Sequence, residues 1–248
     1  MRTATEALPT EIAERDGLVY SLWLPDRHPA PGGVVILHGA GSCKESHHDY
    51  ARVVLGAGLA AIAFDQRGHG ASPGPMDGRV LDDIAAMTAL LRERAGGAGA
   101  GGGAELPIAL RGSSMGGYFA IAAAPVARAA AVVAICPASA EGMRRGLSAE
   151  RFEFARDVPA LDALFAAHDE TELAESLDVP VLLLHAEGDE VVPVQLSREL
   201  AAHLHHPRSR LITLPGGHHR SIQHDHELQA VSLRFIEQSL AARGAASA

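Results

Sequence analysis

The sequence lacks the features that would point to nucleic acid or to an acidic membrane surface. It has no long run of lysine and arginine, and its formal net charge is -9 over 248 residues. Because phosphate groups bind to concentrated basic surfaces, this charge argues against nucleic acid or a membrane as a partner. A neutral or cationic small molecule fits better.

Long apolar segments are also missing. The one uncharged stretch that approaches the length of a membrane span, Gly112–Ala127, carries Ser113, Ser114 and Pro125, so no transmembrane helix is predicted. The first ten residues, Met1–Thr10, include Glu and Pro but no apolar core of a secretory signal. We therefore expect a cytoplasmic protein.

Cysteine is scarce, and metal and phosphate motifs are missing. Cys43 and Cys136 are far apart in sequence, which is typical of free thiols that act as small hydrophobic residues. The 14 histidines invite a metal interpretation, but no H-E-x-x-H or paired C-x-x-C motif accompanies them. No G-x-x-x-x-G-K-[ST] motif occurs either, nor G-x-G-x-x-G after the first strand. We predict neither a metal nor a cofactor.

What the sequence does contain is a repeating order of short apolar runs, Gly-containing loops and helical stretches. This order is typical of an α/β fold with a mostly parallel sheet and helices on both faces. We predict one domain over residues 1–248, with about eight strands. A hairpin at Asp16-Gly17 should join two antiparallel strands, Ile12–Arg15 and Val19–Leu24. The other predicted strands are Val34–Leu37, Ala60–Phe64, Ile108–Leu110, Ala131–Ile135, Val181–Leu184 and Leu211–Leu214.

Five segments between these strands have the apolar spacing of helices. In the last of them, one apolar stripe is expected to face the core. The predicted helices are His48–Leu55, Val80–Arg94, Gly117–Ala124, Val194–Leu204 and Glu227–Ala242.

Two segments depart from this order. Ala95–Ala104 is almost entirely Gly and Ala, which predicts a mobile surface loop. Ser139–Asp178 contains several short helical patterns, and we interpret residues 139–178 as a small cap inserted between two strands. The same amphipathic spacing is also typical of ordinary surface helices, so that alternative stays open.

The strongest chemical signal is the segment from Gly112 to Gly117, which reads G-S-S-M-G-G. It follows a predicted strand and precedes a predicted helix, which is the context of a G-x-S-x-G nucleophile turn. A sharp turn that exposes a hydroxyl needs neighbours without a Cβ, and Gly112 and Gly116 flank Ser114 at that spacing. Ser113 has no such flanking pair.

A serine nucleophile needs a base and a group that orients the base, and both types occur after later strands. Asp189 follows Val181–Leu184, and the pair His218 and His219 follows Leu211–Leu214. Because the carboxyl ends of parallel strands form the ligand crevice of open α/β sheets, these groups should converge with Ser114.

At this point the chain resembles the α/β-hydrolase superfamily, in which the order Ser, Asp or Glu, then His is met by Ser114, Asp189 and His219. The likeness covers nearly the whole chain. It includes the H-G-A-G segment that starts at His38 and the D-Q-R-G-H-G segment that starts at Asp65.

The resemblance also assigns roles. The segments G-D-x-x-V-P and P-G-x-x-H are similar to those of the family and select Asp189 as the acid and His219 as the base, with His218 as the alternative. The resemblance implies that the backbone amides of Ala40 and Met115 form an oxyanion hole. It leaves His38 with a structural role.

We predict a serine hydrolase that cleaves carboxylic esters of a small acyl substrate through an acyl-enzyme. Thioesterase or aminoacyl peptidase activity on the same triad stays open, as does perhydrolase or C–C bond hydrolase activity. The few large side chains in residues 139–178 argue against a lipase of long acyl chains. A non-catalytic binding module would be expected to lack one triad residue, and none is missing. Nothing in these residues predicts an oligomeric state.

Overall fold

A computed structural model describes residues 7–96 and 105–246. Within them, eight strands form one sheet. They are β1 (Glu11–Arg15), β2 (Leu18–Trp23), β3 (Gly33–Leu37), β4 (Ala60–Phe64), β5 (Ile108–Ser113), β6 (Ala131–Ile135), β7 (Val181–Ala186) and β8 (Arg210–Leu214). Their spatial order is β1-β2-β4-β3-β5-β6-β7-β8. The β1–β2 and β2–β4 pairs are antiparallel and the others are parallel.

Eight α-helices lie in the same described residues. They are α1 (His48–Gly56), α2 (Val80–Gly96), α3 (Met115–Ala122), α4 (Ala140–Ser148), α5 (Val158–Ala167), α6 (Glu170–Ser176), α7 (Val194–Ala202) and α8 (His226–Ala246). Helices α1 and α8 pack on one face of the sheet, and α2, α3 and α7 pack on the other. No helix within residues 7–96 and 105–246 is long and apolar enough to cross a membrane.

The central strands are apolar because both of their faces are covered. Successive side chains of a strand point to opposite faces, so β3 sends Val35 and Leu37 into the α2/α3 side of the core. Val34 and Ile36 enter the α1/α8 side. This confirms the predicted mostly parallel sheet with helices on both faces and an antiparallel start.

The predicted element bounds differ from the structure at functionally important ends. Strands β5 and β7 run to Ser113 and Ala186, past the predicted Leu110 and Leu184. Helix α3 begins at Met115, two residues before the predicted start. The prediction of a loop from Ala95 was wrong for its first two residues, because Ala95 is buried and α2 continues through Gly96. Residues 97–104 lie outside the described residues.

Helices α4 to α6 form the connection between β6 and β7. The Tyr118 hydroxyl of α3 donates a hydrogen bond to the His168 carbonyl at 2.6 Å, which attaches this connection to the helix after the nucleophile turn. The backbone of Met76 also bonds to Ala155 and Asp157 at 2.9 and 2.8 Å. The connection therefore packs on α3 and on the segment that contains Met76. A cap role for residues 139–178 and a single domain over 1–248 stay predictions.

Candidate active site

Ser114 lies between the end of β5 and the start of α3, with φ 54° and ψ -121°. A positive φ at a residue with a Cβ costs about 1–3 kcal/mol and persists only where surrounding contacts enforce it. Here the Ser114 amide donates to the Ile135 carbonyl at 2.8 Å, and its own carbonyl accepts from the Gly117 and Tyr118 amides. The strained turn is thus held by neighbouring backbone on both sides.

The two glycines that flank Ser114 have no room for side chains. A Cβ on Gly112 would lie 2.0 Å from the Gly116 carbonyl oxygen. A Cβ on Gly116 would lie 2.4 Å from the Leu37 carbonyl oxygen. Both distances are far below van der Waals contact, which agrees with the steric requirement predicted from the sequence.

The loop after β3 passes directly beside Ser114. A Cβ built on Gly39 would lie 3.3 Å from the Ser114 Cβ. Strands β3 and β5 are parallel neighbours, with Leu37 opposite Gly112. This register and the close approach of Gly116 to the Leu37 carbonyl bring the end of β3 and the first turn of α3 together. The first amides of a helix have no intrahelical acceptor, and Met115 is the first residue of α3.

His38 fixes the loop after β3 through hydrogen bonds to Gly39 and Gln66. The Gln66 amide donates to His38 Nε2 at 3.0 Å, so Nε2 is the unprotonated nitrogen and Nδ1 donates to the Gly39 carbonyl at 2.8 Å. The Gln66 side chain also donates to the His38 carbonyl at 2.8 Å. Burial lowers the pKa of His38 to about 4, so the ring is neutral at pH 7. These contacts give His38 a structural environment.

The D-Q-R-G-H-G turn supports the same loop from its far end. Asp65 accepts the Lys44 amide at 2.7 Å and the Lys44 ammonium at 2.8 Å, and both side chains are buried. Gly70 has φ 50°, and a Cβ there would lie 2.3 Å from the Asp65 carboxylate. A glycine is needed at this position so that the chain can pass the buried ion pair.

His219 and Asp189 form the second half of the site. His219 Nδ1 lies 2.7 Å from Asp189 Oδ2, and since a carboxylate only accepts, Nδ1 carries the hydrogen. The Nε2 lone pair is then available as a base. The Asp189 side chain is fully buried and that of His219 is 11% exposed. His218, the alternative base, is exposed and its backbone bonds to Ser221.

Asp189 stays ionised despite its burial. Burial opposes the charge, but donors from Val192, His219 and Val191 outweigh it and lower the pKa of Asp189 below its ordinary value. The amides of Val191 and Val192 lie 2.9 and 2.8 Å from Oδ1. The carboxylate is therefore fixed in orientation as well as charge.

Two groups beside Asp189 were not identified as site residues from the sequence. The Cys136 thiol lies within 4.8 Å of the Asp189 carboxylate, and burial raises the pKa of this thiol, so it stays protonated. His185, also buried, donates from Nε2 to the Val192 carbonyl at 2.9 Å and accepts from Ser197 at 2.7 Å, which braces the turn that carries Asp189. Both residues lie at strand ends, the one signal that could have found them.

The structure forms one of the two hydrogen bonds expected among Ser114, His219 and Asp189. Within the described residues, Ser114 Oγ makes no hydrogen bond to His219, although the His219–Asp189 bond is formed. Catalytic hydrogen bonds are often long without substrate and shorten in the reactive complex. Glu190 is exposed and accepts a hydrogen bond from the His219 backbone amide at 3.2 Å.

One group within the described residues has the donor types of a metal site. Cys136, Asp189 and His219 offer ligand atoms that all lie within 4.8 Å of one another. Two of these atoms are already joined at 2.7 Å. A tetrahedral zinc ion with ligands at about 2.0–2.3 Å would need them farther apart. The arrangement fits an oriented base better than a metal centre. The described cysteines are both free thiols.

The comparisons with known proteins agree with this fold. Residues 28–160 and 157–227 match the family described as serine aminopeptidase, S33. The protein is therefore an α/β hydrolase. It belongs to the S33 serine aminopeptidase family.

Three individual proteins illustrate the similarity. A bifunctional esterase/perhydrolase of Acinetobacter calcoaceticus is 27% identical over 263 aligned positions, covering 84% of this chain and 92% of the relative. A monoacylglycerol lipase of Mycolicibacterium smegmatis is 38% identical over 106 positions, covering 42% of this chain and 36% of the relative. The crystal structure of a Paleococcus ferrophilus monoacylglycerol lipase is 22% identical, with TM-score 0.66, and the match covers 90% of this chain and 98% of the lipase.

Proposed function

We propose that this protein is a serine hydrolase that cleaves carboxylic esters, with Ser114, His219 and Asp189 as the triad. The observation that carries the proposal is the 2.7 Å bond between His219 and Asp189. This pair follows β8 and β7, at the same edge of the parallel sheet as the strained, glycine-flanked Ser114 after β5. An oriented imidazole beside a serine on a sharp turn is the arrangement that activates a hydroxyl.

The proposed reaction has two steps. His219 Nε2 takes the Ser114 Oγ proton as Oγ bonds to the ester carbonyl carbon, and the same proton then passes to the departing alcohol. Water next attacks the acyl-enzyme, with His219 again accepting a proton, and releases the acid. Asp189 stabilises the imidazolium in both steps. The chemistry needs no cofactor.

The oxyanion of each tetrahedral intermediate would be held by the amides of Ala40 and Met115. Support for these donors comes from the position of the Gly39 segment against Ser114 and of Met115 at the first turn of α3. Donors that are fixed before the reaction stabilise charge that appears only in the transition state. The His38–Gln66 contacts supply that rigidity.

Ester cleavage is preferred over its alternatives because two relatives carry esterase or monoacylglycerol lipase in their names. The family description makes an aminoacyl amide the second substrate class to be tested. The name of the Acinetobacter relative also includes perhydrolase, which uses peroxide in place of water. We propose a neutral small acyl substrate.

The experiment is a substrate panel run with wild type and Ser114→Ala. p-Nitrophenyl esters of increasing chain length are compared with a thioester, an aminoacyl amide, and an ester plus hydrogen peroxide. We expect the highest kcat/KM on a short ester, and a fall in kcat on the order of a millionfold in Ser114→Ala. Full esterase activity in Ser114→Ala would refute the proposal.

A further inference from the structure

A polar bridge joins the nucleophile strand to the loop that carries His219. Ser113, the residue before Ser114, donates from Oγ to Gln223 Oε1 at 2.7 Å. Arg111 on the same strand donates from Nη2 to the Gln223 carbonyl at 3.2 Å. Gln223 lies four residues after His219. We call Arg111, Ser113 and Gln223 the Gln223 bridge.

The bridge follows from the alternation of β5. Leu110 faces the α2/α3 side of the core, whereas Ala109 faces the α1/α8 side. Arg111 and Ser113 are two and four residues after Ala109 and therefore point to the same α1/α8 side of the sheet. The loop between β8 and α8 passes across that side.

The buried guanidinium of Arg111 depends on Gln223 for its hydrogen bond. Its side chain is 1% exposed, and its guanidinium lies 3.6 Å from the centre of the Tyr50 ring. Within the described residues, Nε and Nη1 have no hydrogen-bond partner, so the Gln223 carbonyl is the one acceptor that Arg111 has. A buried cation binds its acceptor tightly because water cannot replace it.

The remaining polar groups of Gln223 are also engaged. Its side-chain Nε2 donates to His224 Nε2 at 2.9 Å, and His224 Nδ1 in turn donates to Asp49 at 2.9 Å. Gln229 donates to both the Gln223 carbonyl at 3.2 Å and Asp49 at 2.7 Å. Gln223 is thus fixed from the strand, from α1 and from α8.

We propose that Gln223 is a positioning residue that sets the distance between His219 and Ser114. Because Ser113 precedes the nucleophile and Gln223 follows the base, their bond ties the two catalytic segments by a short path. The segment before His219 contains two glycines with positive φ, 70° at Gly216 and 74° at Gly217. Because glycine backbone has wide conformational freedom, this segment alone does not fix the position of His219. Loss of the bridge would leave the His219–Asp189 bond intact, but the His219 ring would be held less firmly relative to Ser114. This inference rests on the proposed triad.

The test uses Ser113→Ala, Gln223→Leu and the double variant in steady-state kinetics. Each single variant is expected to lower kcat by about tenfold or more, with KM within about twofold, because misplacement by about 1 Å costs up to about a hundredfold. The double variant should have a kcat no lower than that of the slower single variant, since both single substitutions remove the same Ser113–Gln223 hydrogen bond. Gln223→Glu keeps an acceptor for Ser113 and should recover most of kcat.

A buried serine that is remote from the site supplies the matched control. Ser239 is 1% exposed and donates within α8 to the Phe235 carbonyl at 2.8 Å. Ser239→Ala should lower the melting temperature about as much as Ser113→Ala and leave kcat unchanged. Equal kcat losses in the two variants, additive effects in the double variant, or an unchanged kcat in Gln223→Leu would each overturn the inference.

A readout without catalysis separates this inference from the proposed function. Amide hydrogen exchange followed by mass spectrometry should be faster over residues 216–224 in Gln223→Leu, and unchanged there in Ser239→Ala. Unchanged exchange in Gln223→Leu contradicts the bridge, whatever the enzyme hydrolyses. Faster exchange together with an active Ser114→Ala would uphold the bridge and refute the triad.

Discussion

Gly116 lies against the carbonyl oxygen of Leu37, where a Cβ would come within 2.4 Å. The contact joins the first turn of α3 to the end of β3. It brings the nucleophile turn and the loop of the proposed oxyanion hole into one rigid unit.

Gly116→Ala should therefore destabilise the fold by about 3 kcal/mol, because the added methyl meets backbone that cannot move away. Gly56→Ala is the control, since a Cβ there has open space and the φ of Gly56 is not positive. In a helix, Ala is favoured over Gly by about 0.5–1 kcal/mol, so this variant should not be destabilised. Urea unfolding of both variants measures the difference. Equal stabilities would show that the turn is not tightly packed.

Asp189→Asn should lower kcat by about 10⁴-fold while the protein stays folded. An amide at this position no longer favours the tautomer with hydrogen on Nδ1, so Nε2 is less available as a base. Glu190→Gln is the matched control: Glu190 is exposed, and its side chain accepts a hydrogen bond from the His219 backbone amide rather than from the His219 ring. Its kcat should stay near that of wild type. A fall of similar size in both variants would argue against Asp189 as the orienting acid.

His38 predicts a dependence of stability on pH. Its pKa is about 4 in the folded protein, against an ordinary value of 6.5, so the unfolded chain binds more protons between these values. The stability that neutral His38 contributes is present above pH 6.5 and is lost as the pH falls towards 4. At pH 5 the loss is about 2 kcal/mol.

The check is urea unfolding of wild type and His38→Asn from pH 7 to pH 5. Burial also lowers the pKa of other histidines, and it does so in both proteins. The difference between the two plots of unfolding free energy against pH therefore isolates His38. Wild type should lose more stability than the variant. Parallel curves would contradict the neutral, buried state of the ring.

The sequence predicts the sheet well because its central strands are buried on both faces. Such strands are continuous apolar runs, and β4 and β6 have the predicted bounds. It predicts strand ends poorly where polar residues continue the strand. Arg111 and Ser113 look like loop residues, yet β5 includes both because their backbone pairs with β3 and β6.

The sequence predicts only those site residues that belong to a recognisable local motif. Ser114 and its glycines form one motif, so their geometry could be anticipated from steric rules. Cys136 and Gln223 belong to no motif. Their contacts with Asp189 and Ser113 depend on which strands are neighbours, and residue spacing along the chain does not reveal that.

The most direct test of the central claim is to locate the adduct of a fluorophosphonate probe. The probe phosphonylates a serine only where a base has activated it. Peptide mapping by mass spectrometry should find the adduct on Ser114, with labelling much slower in His219→Ala and unaffected in His218→Ala. Labelling of another serine, or equal rates in wild type and His219→Ala, would contradict the proposed triad.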